Sequence, residues 1–201
     1  REHDLKLRYL PFLQRQGAAN YLSDPVFRSL LPKTPEDDPR AAIILMLSLF
    51  TNPSFTWDDV DWLRGVTKLP LLLKGILDAD DAAIAVERGV DGIIVSNHGG
   101  RQVDGAIASL DALPEVCESV DDRVPVLLDS GVRRGPDVLK AIALGASAVL
   151  VGRPFVYALA SEGEAGVRHL IRTLIADVDL TLALSGRASI DEVNRTLLER
   201  D

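Results

Sequence analysis

Cysteine is almost absent from this chain of 201 residues, Cys117 being the single example. One thiol forms no internal disulfide, and nothing around it has the spacing of a metal motif. Cys117 therefore reads as a small, half-buried packing residue rather than a reactive group. Histidine is scarce as well. His3, His98 and His169 form no H-x-x-x-H pair, so no metal site is expected. Cations are outnumbered, 22 Lys and Arg against 30 Asp and Glu, for a net charge of −8. That balance argues against general nucleic-acid binding, which needs basic patches to neutralise phosphates. It leaves room for a few local cations to hold one small anion. Long apolar runs are missing too. The longest, "AAIILMLSLF" from Ala41 to Phe50, is far short of the roughly 20 residues that cross a bilayer. No signal-peptide pattern is visible, and the expectation is a soluble, cytoplasmic protein with no membrane partner.

The length suits one domain or part of a larger one, and a hydrophobic content of 47% allows a sizeable core. The chain divides into two stretches of different character. Residues 1–53 include "YLPFLQRQGAANYLSDPVFRSLLPKTPEDDPR", with five prolines, a cluster of acids and little periodicity. This segment reads as a long, lid-like connection with short helices. Ala41–Phe50 reads as a helix or packed stretch within it. In residues 54–201, "SFTWDDVDWLRGVT" opens as a helix. Ser54 or Thr56 can cap it, Asp58 and Asp59 suit its N-terminal dipole, and Trp57, Val60, Trp62 and Leu63 offer apolar contacts.

From Leu69 a rhythm sets in. The apolar runs "LPLLLKG", "GIIVSNHGG", "VPVLLDSG" and "ASAVLVGRP" alternate with the helix-like "DADDAAIAVERG", "SLDALPEVCESV" and "RGPDVLKAIALG". Gly89 and Gly145 stand where a left-handed helix C-cap is wanted. Alternation of this kind implies an α/β fold with a parallel sheet buried on both faces. Polar residues gather just after each strand, the end at which α/β folds bind ligands.

The chemistry at those ends is complementary. Lys74 either snorkels to solvent or meets an anion. His98 supplies an imidazole, a general base suited to neutral pH. Arg101 supplies a planar fork that matches a carboxylate. Gly99 and Gly100 between them permit a tight turn or close approach. The alternative for this pair is a histidine bonded within its own loop and an arginine paired to a surface acid. Asp129, Gly131, Arg133 and Arg134 at the third end, with Gly152 and Arg153 at the fourth, are suited to cradling a phosphate.

These residues resemble a known family. "SNHGGRQVDG", "DSGVRRGPDVLKAIALGASAV" and "VGRPFVYAL" are similar to the FMN-dependent α-hydroxy-acid oxidases and dehydrogenases. The likeness runs from about Leu69 through "GEAGVRHLIRTLIADVDLTLALSG". The stretch "YLPFLQRQGAANYLSDPVFR" resembles the long fourth loop of the lactate monooxygenase branch. The resemblance implies a (β/α)8 barrel with FMN at its C-terminal face. Lys74 would lie near the flavin pyrimidine edge and stabilise negative charge there, and Ser96 would contact the flavin. His98 would be the catalytic base and touch substrate, and Arg101 would hold the substrate carboxylate. Asp129, Ser130, Gly131, Val132 and Arg133 would line the ribityl-phosphate side. Gly152 and Arg153 would hold the phosphate. The reaction implied is oxidation of a small, lactate-like L-2-hydroxy acid to its keto acid, or oxidative decarboxylation with oxygen. Oxygen or another acceptor would take the electrons.

Eight strands close that barrel, and four are legible in this sequence. The chain is therefore expected to match about strands 5–8 after a loop-4-like segment, the C-terminal half of a TIM barrel. It would then bind FMN weakly or not at all by itself, and its partner would be another copy or an N-terminal half. Two further readings stand beside this one. One is a non-catalytic half barrel acting in assembly. The other is a different phosphate-binding barrel enzyme.

Overall fold

A computed structural model describes residues 18–50 and 54–198. The chain divides into two compact units, with the boundary between Trp57 and Asp58.

The described part of the first unit contains α1 (Ala19–Ser23), α2 (Pro25–Ser29) and α3 (Pro39–Phe50). Asp24 caps α2, its carboxylate accepting from Phe27 N at 2.7 Å, with Pro25 in the first turn. The apolar spacing of α3 buries Ala42, Ile43 and Met46 against Ala18 and Phe27. Tyr21 meets Phe27 edge to face, with ring centroids 5.4 Å apart. The expected long connection thus carries a small helical core. Its first seventeen residues, and residues 51–53, lie outside the described residues.

The second unit begins within α4 (Trp57–Val66) and continues as β1 (Leu72–Ile76), α5 (Ala79–Glu87), β2 (Gly92–Val95), α6 (Ser109–Val120), β3 (Val126–Leu128), α7 (Gly135–Ala143), β4 (Ala148–Val149) and α8 (Arg153–Leu184). α8 bends at Glu162 and Gly163, where the backbone leaves helical geometry. The strands form one parallel sheet in the order β1-β2-β3-β4. All four strand–helix alternations expected from the sequence are present. Gly89 and Gly145 take the left-handed conformation, with φ of 77° and 114°.

The core lies along β2 and β3. Ile93, Val95 and Leu128 from the strands, with Leu113, Val116 and Val120 from α6, are almost fully buried. Each large aliphatic side chain so buried contributes about 1.5–3 kcal/mol. Asp78 caps α5 by accepting from Asp80 N and Asp81 N. Ser119 on α6 donates to Ala79 O at 2.7 Å and ties the two helices together. At the N-terminal end of the sheet, Asp91 accepts from Arg64 at 2.5 Å and from Leu71 N at 2.7 Å.

Two expectations need correction. The sheet is not buried on both faces throughout. Leu72 at the start of β1 and Leu150 after β4 are each 38% exposed, because β1 and β4 each have one strand neighbour among the described residues. Trp62 does not pack inward with Val60. It is 66% exposed while Val60 is buried, because two residues on an α-helix point to opposite sides. Among the described residues, no helix is long and apolar enough to cross a membrane.

Candidate functional site

The site lies at the C-terminal ends of the strands, where a cavity of about 500 Å³ is lined by residues from all four strand ends. Lys74 is near the end of β1. His98, Gly99 and Arg101 follow β2, Asp129 to Arg133 follow β3, and Gly152 and Arg153 follow β4. A neighbouring recess of about 350 Å³ shares Gly99, Ser130, Gly131, Val132 and Arg153 with it.

The loop after β2 coils left-handed. His98, Gly99 and Gly100 have φ of 55°, 67° and 72°. This is ordinary for glycine but costs about 1 kcal/mol or more for histidine. The turn brings His98 and Arg101 to the same cavity wall. The imidazole sits against β1, where the register shifts between Lys74 and Ile76. At Gly75, with φ 102°, a Cβ would fall 2.8 Å from His98 Nε2. The lack of a side chain there makes the seat for the ring.

Beneath the loop, polar groups form a closed network. Lys74 Nζ is 2.7 Å from Asp129 Oδ2 and donates to Ser96 Oγ at 2.8 Å. Ser96 Oγ also accepts from His98 N at 3.1 Å. Ser130 Oγ donates to Asp129 Oδ1 at 2.9 Å and accepts from Gly99 N at 2.9 Å. Burial pushes the Asp129 carboxyl up. Hydrogen bonds from Lys74, Ser96 and Ser130, with the Lys74 charge, outweigh this and hold it below the ordinary aspartate value. Two of the three ammonium protons of Lys74 are thus engaged, and one remains for a ligand.

The anion-binding side is open and cationic. Arg101, Arg133 and Arg153 are exposed and line the cavity. None of them makes a salt bridge among the described residues. Arg153 reaches back to donate to Gly99 O at 3.3 Å, linking the fourth strand end to the histidine loop. Positions Gly131 and Gly152 have open space where a Cβ would be. The arginine after Gly152 opens α8, with Pro154 in its first turn and Phe155 N donating to Gly152 O at 3.1 Å.

The residues singled out at the strand ends line the cavity or the neighbouring recess, except Ser96 and Arg134. Ser96 has no exposed surface and does not line the cavity. Its Oγ accepts from Lys74 Nζ and from His98 N, so it supports the loop from beneath. Among the described residues, Arg101 is paired to no surface acid. Gly75, Gln102, Leu150 and Phe155 also bound the site or its seat and were not singled out in the sequence. Gly75 carried a usable signal, since an isolated glycine inside an apolar strand marks a bulge or a close approach.

Comparison with known proteins decides the family. The family model described as FMN-dependent dehydrogenase matches residues 1–200. The chain belongs to the FMN-dependent dehydrogenase family. An L-lactate oxidase of Lysinibacillus sphaericus is 45% identical over 100% of this chain and 52% of its own length. A peroxisomal (S)-2-hydroxyacid oxidase of Arabidopsis thaliana is 58% identical over 71% of this chain and 39% of its own. A solved mandelate oxidase with (S)-4-hydroxymandelic acid superposes with a TM-score of 0.68 at 50% identity, over 70% of this chain and 40% of that one. The chain spans about half the length of the curated relatives it matches. Within the FMN-dependent dehydrogenase family, the four parallel strands and their polar ends correspond to part of a TIM barrel.

Proposed function

We propose that the protein acts in the FMN-dependent oxidation of a small L-2-hydroxy acid, lactate-like in size, to the 2-keto acid, with oxygen or another acceptor taking the electrons. The observation that carries this reading is His98 and Arg101 on one turn, facing a cationic cavity at the strand ends. Relatives named as L-lactate oxidase and 2-hydroxyacid oxidase support it.

The residues present fit FMN. Arg133 and Arg153 suit its phosphate, and the open positions at Gly131 and Gly152 allow close approach. The free proton of Lys74 suits an anionic edge. When bound, FMN supplies the two-electron acceptor that no side chain provides. The chain does the rest. Arg101 holds the substrate carboxylate bidentately. The fixed turn puts the imidazole of His98 beside it, where it takes the substrate proton. Lys74 places positive charge where negative charge develops.

Adding FMN to the purified chain, and then L-lactate without oxygen, tests this. The titration is run on the chain alone and on the chain co-expressed with the complementary half of a relative. A bound-flavin spectrum that fades with lactate, and that persists in His98→Ala, is the expected result. A bound spectrum indifferent to every 2-hydroxy acid would overturn it, and no bound flavin in either form would favour a purely assembling role.

A further inference from the structure

We infer that Asp129 is the positioning residue for the histidine loop, acting directly on the Ser130 hydroxyl and through Lys74 on that of Ser96. The two amides held are those of His98 and Gly99. Each is bound by a serine oxygen, His98 N by Ser96 at 3.1 Å and Gly99 N by Ser130 at 2.9 Å.

Ser96 Oγ accepts from both Lys74 Nζ, at 2.8 Å, and His98 N, and the same ammonium lies 2.7 Å from Asp129 Oδ2. Ser130 accepts from Gly99 N and donates to Asp129 Oδ1 at 2.9 Å. An ionised carboxylate, an acceptor at both oxygens, takes the Lys74 and Ser130 protons together. It orients the Ser130 hydroxyl, and holds the ammonium that Ser96 accepts from, so that both serine oxygens face the loop amides. A strained loop needs such a hold. His98 adopts φ 55° and Ser130 adopts φ 77°, and neither is glycine. Backbone in that region persists only where its surroundings over-determine it. Gly99 N has a second, local acceptor in Asn97 Oδ1 at 3.0 Å, which shapes the turn but cannot fix it to the third strand. The link from Ser130 spans 31 residues of sequence.

That His98 is the base rests on the function proposed above; that its loop is held by Asp129 does not. The test is amide hydrogen exchange by NMR on the full chain without flavin. Ser130→Gly removes the hydroxyl while suiting the left-handed backbone, so it does not report strain. It should speed exchange at Gly99 by on the order of tenfold, the loss of one hydrogen bond, and leave the α6 amides unchanged. Asp129→Asn should speed exchange at both His98 and Gly99. Unchanged exchange at Gly99 in Ser130→Gly, or at both amides in a folded Asp129→Asn, overturns the proposal. If Asp129→Asn does not fold, Ser130→Gly decides alone. A failed lactate test with altered exchange would sink the functional reading and keep the tether.

Discussion

The Lys74 ammonium and the Asp129 carboxylate meet at 2.7 Å across the end of an intervening strand. The first residue belongs to β1 and the second follows β3, so the pair bridges over Ser96 at the end of β2. It joins three strand ends in one electrostatic unit.

Replacing Lys74 by Met should release Asp129. Its carboxyl should move back up toward the ordinary aspartate value, because burial would act with less opposition. A carbon-detected NMR titration of Asp129 reads this directly. The stability cost should be modest, about 1 kcal/mol, since the lysine side chain is 40% exposed and solvent screens the pair. An Asp129 titration identical in both forms would mean that the ion pair does not exist in solution.

Gly75→Ala tests the seat of the imidazole. The added methyl would lie 2.8 Å from His98 Nε2 on a backbone at φ 102°. The ring must move, and a displacement near 1 Å costs about a hundredfold in rate. FMN affinity should change far less, because the added methyl meets the imidazole of His98 and neither Arg133 nor Arg153. Rates of flavin fading with lactate, set beside an FMN titration, separate the two.

Arg101 should not tolerate lysine. Lysine keeps the charge but not the planar fork, so the carboxylate loses its bidentate hold. Arg101→Lys should raise the substrate concentration needed for half-maximal rate by about tenfold, and Arg101→Ala by more. Equal kinetics for the lysine form would remove Arg101 from substrate binding.

Much of this arrangement is legible in the sequence, and the parts that are not share a physical cause. Periodicity exposes β2 with its Gly92–Val95 run and α6 with its Ser109–Val120 span, because each is a local pattern. The residue types His98, Arg101, Arg133 and Arg153 announce their chemistry wherever they stand. Pairing across strands is not local. Nothing in "LLLKG" says that Lys74 will reach a carboxylate 55 residues on rather than solvent. Ser96 and Ser130 look alike as small polar residues after strands, yet one is wholly buried and the other bridges two loops. Trp62 shows the reverse failure. Its bulk suggested burial, while its angular position on α4 places it outside.

The acid limit of the first unit should be set in part by Glu36. Arg28 donates to both its oxygens, at 3.0 and 2.8 Å, and these bonds hold its carboxyl down at about 2. A carboxyl lower in the folded than in the unfolded chain stabilises above the unfolded value. That contribution is fully present above the usual 4.5 and is lost as pH falls toward about 2. An NMR titration should find Glu36 near 2, and Arg28→Met should return it to the usual glutamate range.

The Arg133 side of the cavity depends on a contact between α7 and α8. Gly135 N donates to Asp177 Oδ2 at 2.6 Å, and a Cβ on Gly135 would fall 2.6 Å from Val178 N. The helices touch backbone to backbone, so only glycine fits the start of α7. The same turn holds Asp137, whose carboxylate accepts from Arg133 N and Arg134 N at 3.0 Å each. Gly135→Ala should therefore have two linked effects. Overpacking should cost about 1–3 kcal/mol, seen as a lower urea midpoint with an unchanged slope. Separation of the helices should also shift the loop carrying Arg133, weakening FMN binding while the Lys74–Asp129 pair stays intact. Asp177→Asn keeps the shape but weakens the acceptor, and should lower the midpoint by less. An alanine variant as stable as the parent would show that α8 is free to move away from α7, and that the anion side is set by β3 and β4 alone.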